Sequence, residues 1–394
     1  MISWRCRARR RAPIAVLVLT ACRELTLPPV SSEPVAVAGG LRILSVSLGA
    51  LHTCGVSATS TTYCWGWNRD GELGDGSRTD RSSPVPVSSP VTFSAVAAGG
   101  GHTCALAAGG AAYCWGFNLS GQVGDSSDRT RVVPVTVAEG GSFATLVTGG
   151  AYSCGARSDS SVACWGYGGF GQLGNGSRDD RRVPTATLSA LKFAAVSAGI
   201  VHTCALAADS TAYCWGRNSF GQLGDTTFAD TTQPVAVRGN LKFTGLTLGF
   251  SHSCGLTADG SAYCWGDNQL GQLGDTIMAQ SNVPVPVDGG FVFRALSAGA
   301  AHTCGITTGN AARCWGSDAE GQLGSPPTHS CAGLSAAGPC SPLPQAVAGG
   351  YTFTAISAGN HHTCAIATDQ RVYCWGLNSN GQLGSGSTTV ALRP

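Results

Sequence analysis

A 394-residue chain with 24 basic and 22 acidic residues is close to neutral, and Arg5, Arg7, Arg9, Arg10 and Arg11 of its first segment account for the small positive excess. Setting those five aside leaves 19 basic against 22 acidic side chains, a balance that excludes the basic footprint of a nucleic-acid-binding protein. Fifty-six glycines, 12% charged residues and an abundance of Val, Thr, Ala and Ser argue against helices and for short strands joined by turns.

The first element in chain order is MISWRCRARRRAPIAVLVLTAC, a basic stretch followed by an apolar run from Pro13 to Ala21 that is too short for a permanent bilayer span. It reads as an export signal. Its end, Leu19-Thr20-Ala21-Cys22, resembles the bacterial lipobox, in which the cysteine is diacylated and the chain is then cut in front of it. Leu19 stands where an ordinary cleavage site wants a small residue, which favours lipidation of Cys22. Residues 1–21 are therefore expected to be a signal peptide and 22–33 a lipidated tether. By resemblance to lipoproteins of double-membraned bacteria, Arg23 permits sorting to the outer membrane, so the expected location is the cell envelope or surface, with the lipid as the only membrane contact.

From Pro34 onward one unit repeats. Cysteine pairs fall at Cys54 and Cys64, Cys104 and Cys114, Cys154 and Cys164, Cys204 and Cys214, Cys254 and Cys264, Cys304 and Cys314, and Cys364 and Cys374, spaced by 50 residues five times and then by 60. Each unit carries a PxxV segment, a strand like FAAVSAG, a strand like HTCALAA, a strand like TAYCWG and a loop ending GQLG. A four-stranded sheet of this size cannot bury both faces alone, so its copies have to stack. The expected fold is an all-β, seven-bladed propeller of four-stranded blades over residues 34–394, with a ten-residue insertion at about 326–342.

The words Gly199 to Thr203, Tyr213 to Gly216 and Gly221 to Gly224, and their equivalents Gly249 to Ser253, Tyr263 to Gly266 and Gly271 to Gly274, resemble the repeat of the regulator of chromosome condensation family. That resemblance implies the same propeller. The third unit departs from it, with Tyr152 for the histidine and Ala163 for the tyrosine, and Arg313 replaces the tyrosine of the sixth. No eighth PxxV segment follows the seventh unit, so Pro34 to Val37 is expected to complete the last blade.

Two cysteines ten residues apart on one hairpin face each other only across an odd loop. Ala258-Asp259-Gly260 suits a three-residue turn with glycine in the left-handed position, whereas Ser160, Ser210 and Gln370 in that place weaken the expectation. Export and even pairing favour seven local disulfides, each contributing at most about 2.7 kcal/mol by chain entropy. Cys331 and Cys340 of the insertion are expected to form an eighth. The rival reading, zinc on His202, Cys204 and Cys214, lacks the close CxxC knuckles of structural zinc sites and a ligand at Tyr152; no metal or cofactor is expected.

Histidine and tryptophan recur once per unit, as scaffold residues do: the imidazoles are expected to bond backbone between blades, and the indoles to pack between sheets. Residues that break the repeat carry the functional information. After CWG and before GQLG stand Trp67, Phe117, Tyr167, Phe170, Phe220 and Leu270, which form either an apolar arc for a partner or the underside of their own loops. Arginines confined to the first three loops, interleaved with acids, read as a solvated rim.

The function expected from these features is a non-catalytic, surface-anchored, monomeric binding scaffold for a protein or glycan. Three other readings come from the resemblance: an inhibitor of an extracellular enzyme, like a secreted bacterial β-lactamase inhibitor of this fold; a nucleotide exchange factor, which export separates from its nuclear GTPase; and an ultraviolet receptor, whose strand tryptophans are missing here. No convergent, unrepeated His, Asp or Ser set suggests an enzyme.

Overall fold

The computed structural model describes residues 31–139, 141–277, 279–326, 329–330 and 338–388, so the leader and Cys22 lie outside the described residues, as does Cys331, the expected partner of buried Cys340. Strand β1 (Ser31–Ala36) is followed by the first complete blade, β2 (Ile43–Leu48), β3 (His52–Ser57), β4 (Thr62–Gly66) and β5 (Arg81–Pro86). The same antiparallel meander recurs in every blade, seven sheets in all, and the sixth adds the short strand His329–Ser330 at its outer edge. Helix is confined, among the described residues, to the short turns Ala38–Gly40 and Ala108–Gly110.

The two middle strands are buried along their length because neighbouring blades cover both of their faces. Outer strands are half-exposed and each carries a proline, such as Pro84 or Pro134, which removes a donor from an edge that could otherwise pair with another chain.

The cysteine spacing meets its expectation: Cys54 lies directly opposite Cys64, and so on around the ring. All seven pairs are disulfides with Cα atoms 4.0–4.1 Å apart. The hairpin turn is the three-residue type, closed in the first blade by Ser57 N donating to Thr61 O and Ser60 N to Ser57 O. One expectation needs correction here. Ser60, Ser160, Ser210, Asn310 and Gln370 take φ of 60–67°, so the left-handed position is used whether or not glycine fills it. The disulfide register and the fixed hairpin length hold these residues there at a cost of about 1–2 kcal/mol each.

The ring closes as the unpaired PxxV segment required. β1 is the outer strand of the last blade, with Val35 opposite Cys374 and Ala36 opposite Tyr373, and the pairing begins at Ser31, three residues before Pro34. Val37 N then donates to Val372 O, and Ala38 N to Gly384 O. The first and last strands of the described residues thus share one sheet.

Between blades the same polar motif recurs. The backbone carbonyl of the Gln in GQLG, or of Glu72 in the first blade, accepts the indole N–H and the Thr or Ser hydroxyl of the next blade, at 2.8–3.1 Å. The following glycine has to let the indole approach: Gly74 has φ 65°, and a Cβ there would lie 2.7 Å from Trp115 Nε1. Six of the seven indoles also pack on a phenylalanine, as Trp115 does on Phe93 at 5.9 Å, while the first blade has Ile43 at that place. The packing role expected of the tryptophans is what the structure shows.

The histidines depart from expectation. Their Nε2 atoms meet the hydroxyl of the next blade, from His52 to Thr103 (2.9 Å) round to His362 and Thr53 (2.8 Å), and not the backbone. A hydroxyl has one hydrogen, and Thr103 spends its own on Glu72 O. The imidazole must therefore donate, which fixes the neutral Nε2–H form. Burial agrees, pushing His52 and His252 down to about 4 and the other four to about 3. In the third blade Tyr152 spans the same gap, its phenol donating to His202 O and meeting Thr203 Oγ1 at 2.8 Å.

Candidate partner-binding face

Because each blade runs out and back, the turn between its first two strands and the long loop after its third lie on one face of the ring. The backbone ties them: Trp67 N donates to Leu51 O, Phe117 N to Gly101 O and Tyr167 N to Ala151 O, at 2.8–2.9 Å. The residues that follow CWG are therefore fixed in height and project from one surface. So are Phe170, Phe220 and Leu270, whose N–H groups donate to the side-chain oxygens of Gln172, Gln222 and Gln272 at 2.8–2.9 Å.

All six candidate residues, Trp67, Phe117, Tyr167, Phe170, Phe220 and Leu270, are half-buried. The structure joins some of them and not others. Tyr167 and Phe170 meet edge to face at 5.9 Å, and the Arg217 guanidinium of the next blade lies 5.0 Å over the Phe170 ring. Trp67 is covered by Arg69 at 5.4 Å. Among the described residues no ring contact links Trp67, Phe117 and Phe220 to one another. Four apolar side chains on this face escaped the sequence reading because they lie outside the two aligned positions: Leu119, Phe228, Phe250 and Ile277, at 67, 49, 42 and 78% exposure.

Beneath the surface five of the seven long loops are built on one asparagine. Asn68 Oδ1 accepts Leu73 N (2.9 Å), while its Nδ2 donates to Asp75 Oδ1 and to carbonyls of the returning loop; Asn118, Asn218, Asn268 and Asn378 repeat the first contact. The signal was in the sequence, an Asn two residues after CWG in five of seven units. In the first two blades a buried acid then takes an arginine: Arg81 to Asp75 at 3.0 Å and Arg131 to Asp125 at 2.6 Å. Burial opposes ionisation of Asp75, but hydrogen bonds from Ser77, Arg81 and Asn68 outweigh it and hold the carboxyl below its usual range. Arg182 pairs with Asp128 across blades at 2.9 Å and Arg178 faces Asp230 at 3.7 Å, so the arginine-rich rim is matched by acids.

The loops also lock the blades. Gly76 N donates to Val132 O of the next outer strand, and Ser126, Gly176, Thr226 and Gly386 repeat that bond. Gly71 packs so closely on the same strand that a Cβ would lie 2.7 Å from Val132 Cα.

Three acids on this face sit in places where no other unit has an acid. Burial pushes the Glu72 carboxyl up to about 7 and Asp318 up to about 6, and raises Asp267. The axial cavity, about 310 Å³, is walled by first-strand side chains such as Val46, Ser47, Val147 and Thr247, none of them ionisable. Among the described residues no group of three or more His, Cys, Asp or Glu could hold a metal.

The model of the RCC1-like domain matches residues 17–334, and the regulator of chromosome condensation repeat matches 314–366 and 353–382. Human WBSCR16 is 19% identical, with a TM-score of 0.74 over 88% of this chain and 89% of that one. Prp20p from Saccharomyces cerevisiae, whose structure is described with its binding to Gsp1p and histones, is 21% identical, with a TM-score of 0.70 over 85% and 82%. The ectodomain of the Arabidopsis thaliana receptor kinase ACR4 is 20% identical, with a TM-score of 0.54 over 92% and all of that chain. At these identities the likeness is one of fold.

Proposed function

From the premise that the chain belongs to the RCC1-like domain family, we propose that it is a non-catalytic, exported propeller, tethered to the cell envelope through a lipid on Cys22, whose loop face captures a protein partner. One observation carries the reading: repeat-breaking aromatics are set on a locked surface, with Tyr167, Phe170 and Arg217 stacked and Phe228, Phe250 and Ile277 standing out into solvent. Large apolar and aromatic side chains around an anchored arginine are the composition of interface hot spots. Seven disulfides support an oxidising compartment. The Gsp1p and histone binding recorded for Prp20p supports the fold as a frame for protein partners.

The test compares the native protein with the Trp67→Ala/Phe220→Ala variant in affinity capture from envelope extracts. The proposal expects a specific protein retained by the native chain and lost from the variant, whose melting temperature stays near native. Equal capture by both, retention of glycan alone, or loss of folding in the variant overturns it.

A further inference from the structure

Six blade junctions bury an amide at the second position of the GQLG turn, and the first buries a carboxyl: Glu72 is 2% exposed, and Gln122, Gln172, Gln222, Gln272, Gln322 and Gln382 are equally enclosed. One side-chain oxygen has the same task throughout, accepting a backbone N–H two residues earlier, as Glu72 Oε2 does from Asp70 at 2.9 Å. The second atom differs. Gln322 Nε2 donates to Ser317 Oγ and Gln272 to Asp267, both partners standing directly after CWG. In Gln122, Gln172, Gln222 and Gln382 the Nε2 is buried without a partner among the described residues.

In the first blade that atom is Glu72 Oε1, and the residue after CWG is Trp67, which offers the carboxyl no acceptor and no charge. Across the junction lie Gly101, close enough that a Cβ there would be 4.0 Å from Oε1, and Phe117 against Gly101. The charged neighbours do not help. Asp70 and Asp80 are acids that disfavour ionisation; Arg69 is held by Asp80 at 3.5 Å and lies over Trp67; Arg131 is held by Asp125; and the His102 imidazole is neutral. An O–H in this slot asks no more than the amide N–H that four sister junctions bury. The ionised carboxyl has the backbone N–H groups of Asp70 and of Glu72 itself as donors, too few to outweigh its burial, and water is the remaining source for its other lone pairs.

We propose that Glu72 is a proton-operated latch of the loop face: protonated, it keeps blades one and two closed beneath Trp67 and Phe117, and its ionisation admits water to that junction and displaces the two aromatic side chains. The latch regulates the surface assigned above to partner binding and rests on that reading only for its consequence. Burial places the transition at about pH 7, so modest changes around neutrality operate it.

Acrylamide quenching of tryptophan fluorescence reads the latch in the protein alone. The seven blade tryptophans are fully buried, whereas Trp67 is half-buried, and a Trp67→Phe variant supplies the baseline. Between pH 5.5 and 8.5 the Trp67 component is expected to become more quenchable along a sigmoid centred near pH 7, and Glu72→Gln, which installs the repeat's own residue, abolishes the sigmoid. A flat native profile, or the same midpoint in the variant, overturns the proposal. No partner enters the measurement, so failure here leaves the binding reading standing, and failure of the capture experiment leaves the latch untouched.

Discussion

Blades two and three are neighbours built from the same repeat, yet they differ at three polar positions that hold the frame and the loop together. Blade two has His102, Asn118 and Asp125 with Arg131; blade three has Tyr152, Gly168 and Asn175 with Arg181. Where Tyr152 replaces histidine, its phenol donates to His202 O and lies 2.8 Å from Thr203 Oγ1, so the gap between blades stays bridged. Where Gly168 replaces asparagine, the backbone has moved into the vacated space, so that a Cβ on Gly168 would lie 2.2 Å from Asp179 O. Where Asn175 replaces the acid, its Nδ2 and Arg181 Nε are both buried donors without a partner. Blade three kept the frame between blades and gave up the polar order of its loop, and that is the loop that carries the Tyr167–Phe170 pair.

Acid should separate the blades most strongly. In an unfolded chain histidine takes up a proton near pH 6.5, while the six inter-blade imidazoles resist until about 4 or 3. Their contribution is therefore complete above pH 6.5 and is lost as pH falls, by about 2 kcal/mol each at pH 5. Six such losses approach the whole stability of a domain. Glu72 works in the opposite sense, since its raised value means that stability is greatest in acid and declines between about pH 4.5 and 7. Blade three adds no histidine term. Tyr152→His should steepen the fall of melting temperature with acid by roughly one part in six; an unchanged slope would show that the imidazoles do not govern it.

Next in size is the loop cage. Asn118→Ala removes the acceptor for Val123 N and donors to Asp125 Oδ1, Ser127 O and Arg129 O, and should cost about 3 kcal/mol in chemical denaturation. A loss below about 1 kcal/mol would mean that blade two tolerates what blade three already has. The smallest effect is a gain: Asn175→Asp gives Arg181 the acid that Arg81 and Arg131 have, and should stabilise the protein by about 1 kcal/mol. That gain should disappear below the carboxylate range and shrink in high salt; no gain would place the fault of blade three in Gly168 instead.

Much of this architecture could be read in advance because the repeat aligns residues that share a task. The ten-residue cysteine spacing specified the strand register through Cys54 opposite Cys64, and the missing eighth PxxV segment located ring closure at β1. The partners of the histidines were harder, because the hydroxyl that meets His52 belongs to Thr103, one period and one residue away, and only the stagger of adjacent blades brings them together. Glu72 could be seen as GELG among six other turns, but its burial depends on the position of Gly101 in the next blade. Phe228, Phe250 and Ile277 were missed because exposure is decided by how loops lap over neighbouring blades, which no periodic pattern encodes.

The hairpin cysteines are all at 0% exposure. Thiol exchange needs an attacking sulfur in line with the bond, so neither oxidase nor reductant can reach these sites once the blades have stacked. Oxidation must therefore be finished, hairpin by hairpin, while the chain is still open. The ring is in this respect a sealed vessel, whose contents were set before the lid went on and cannot be altered without breaking it.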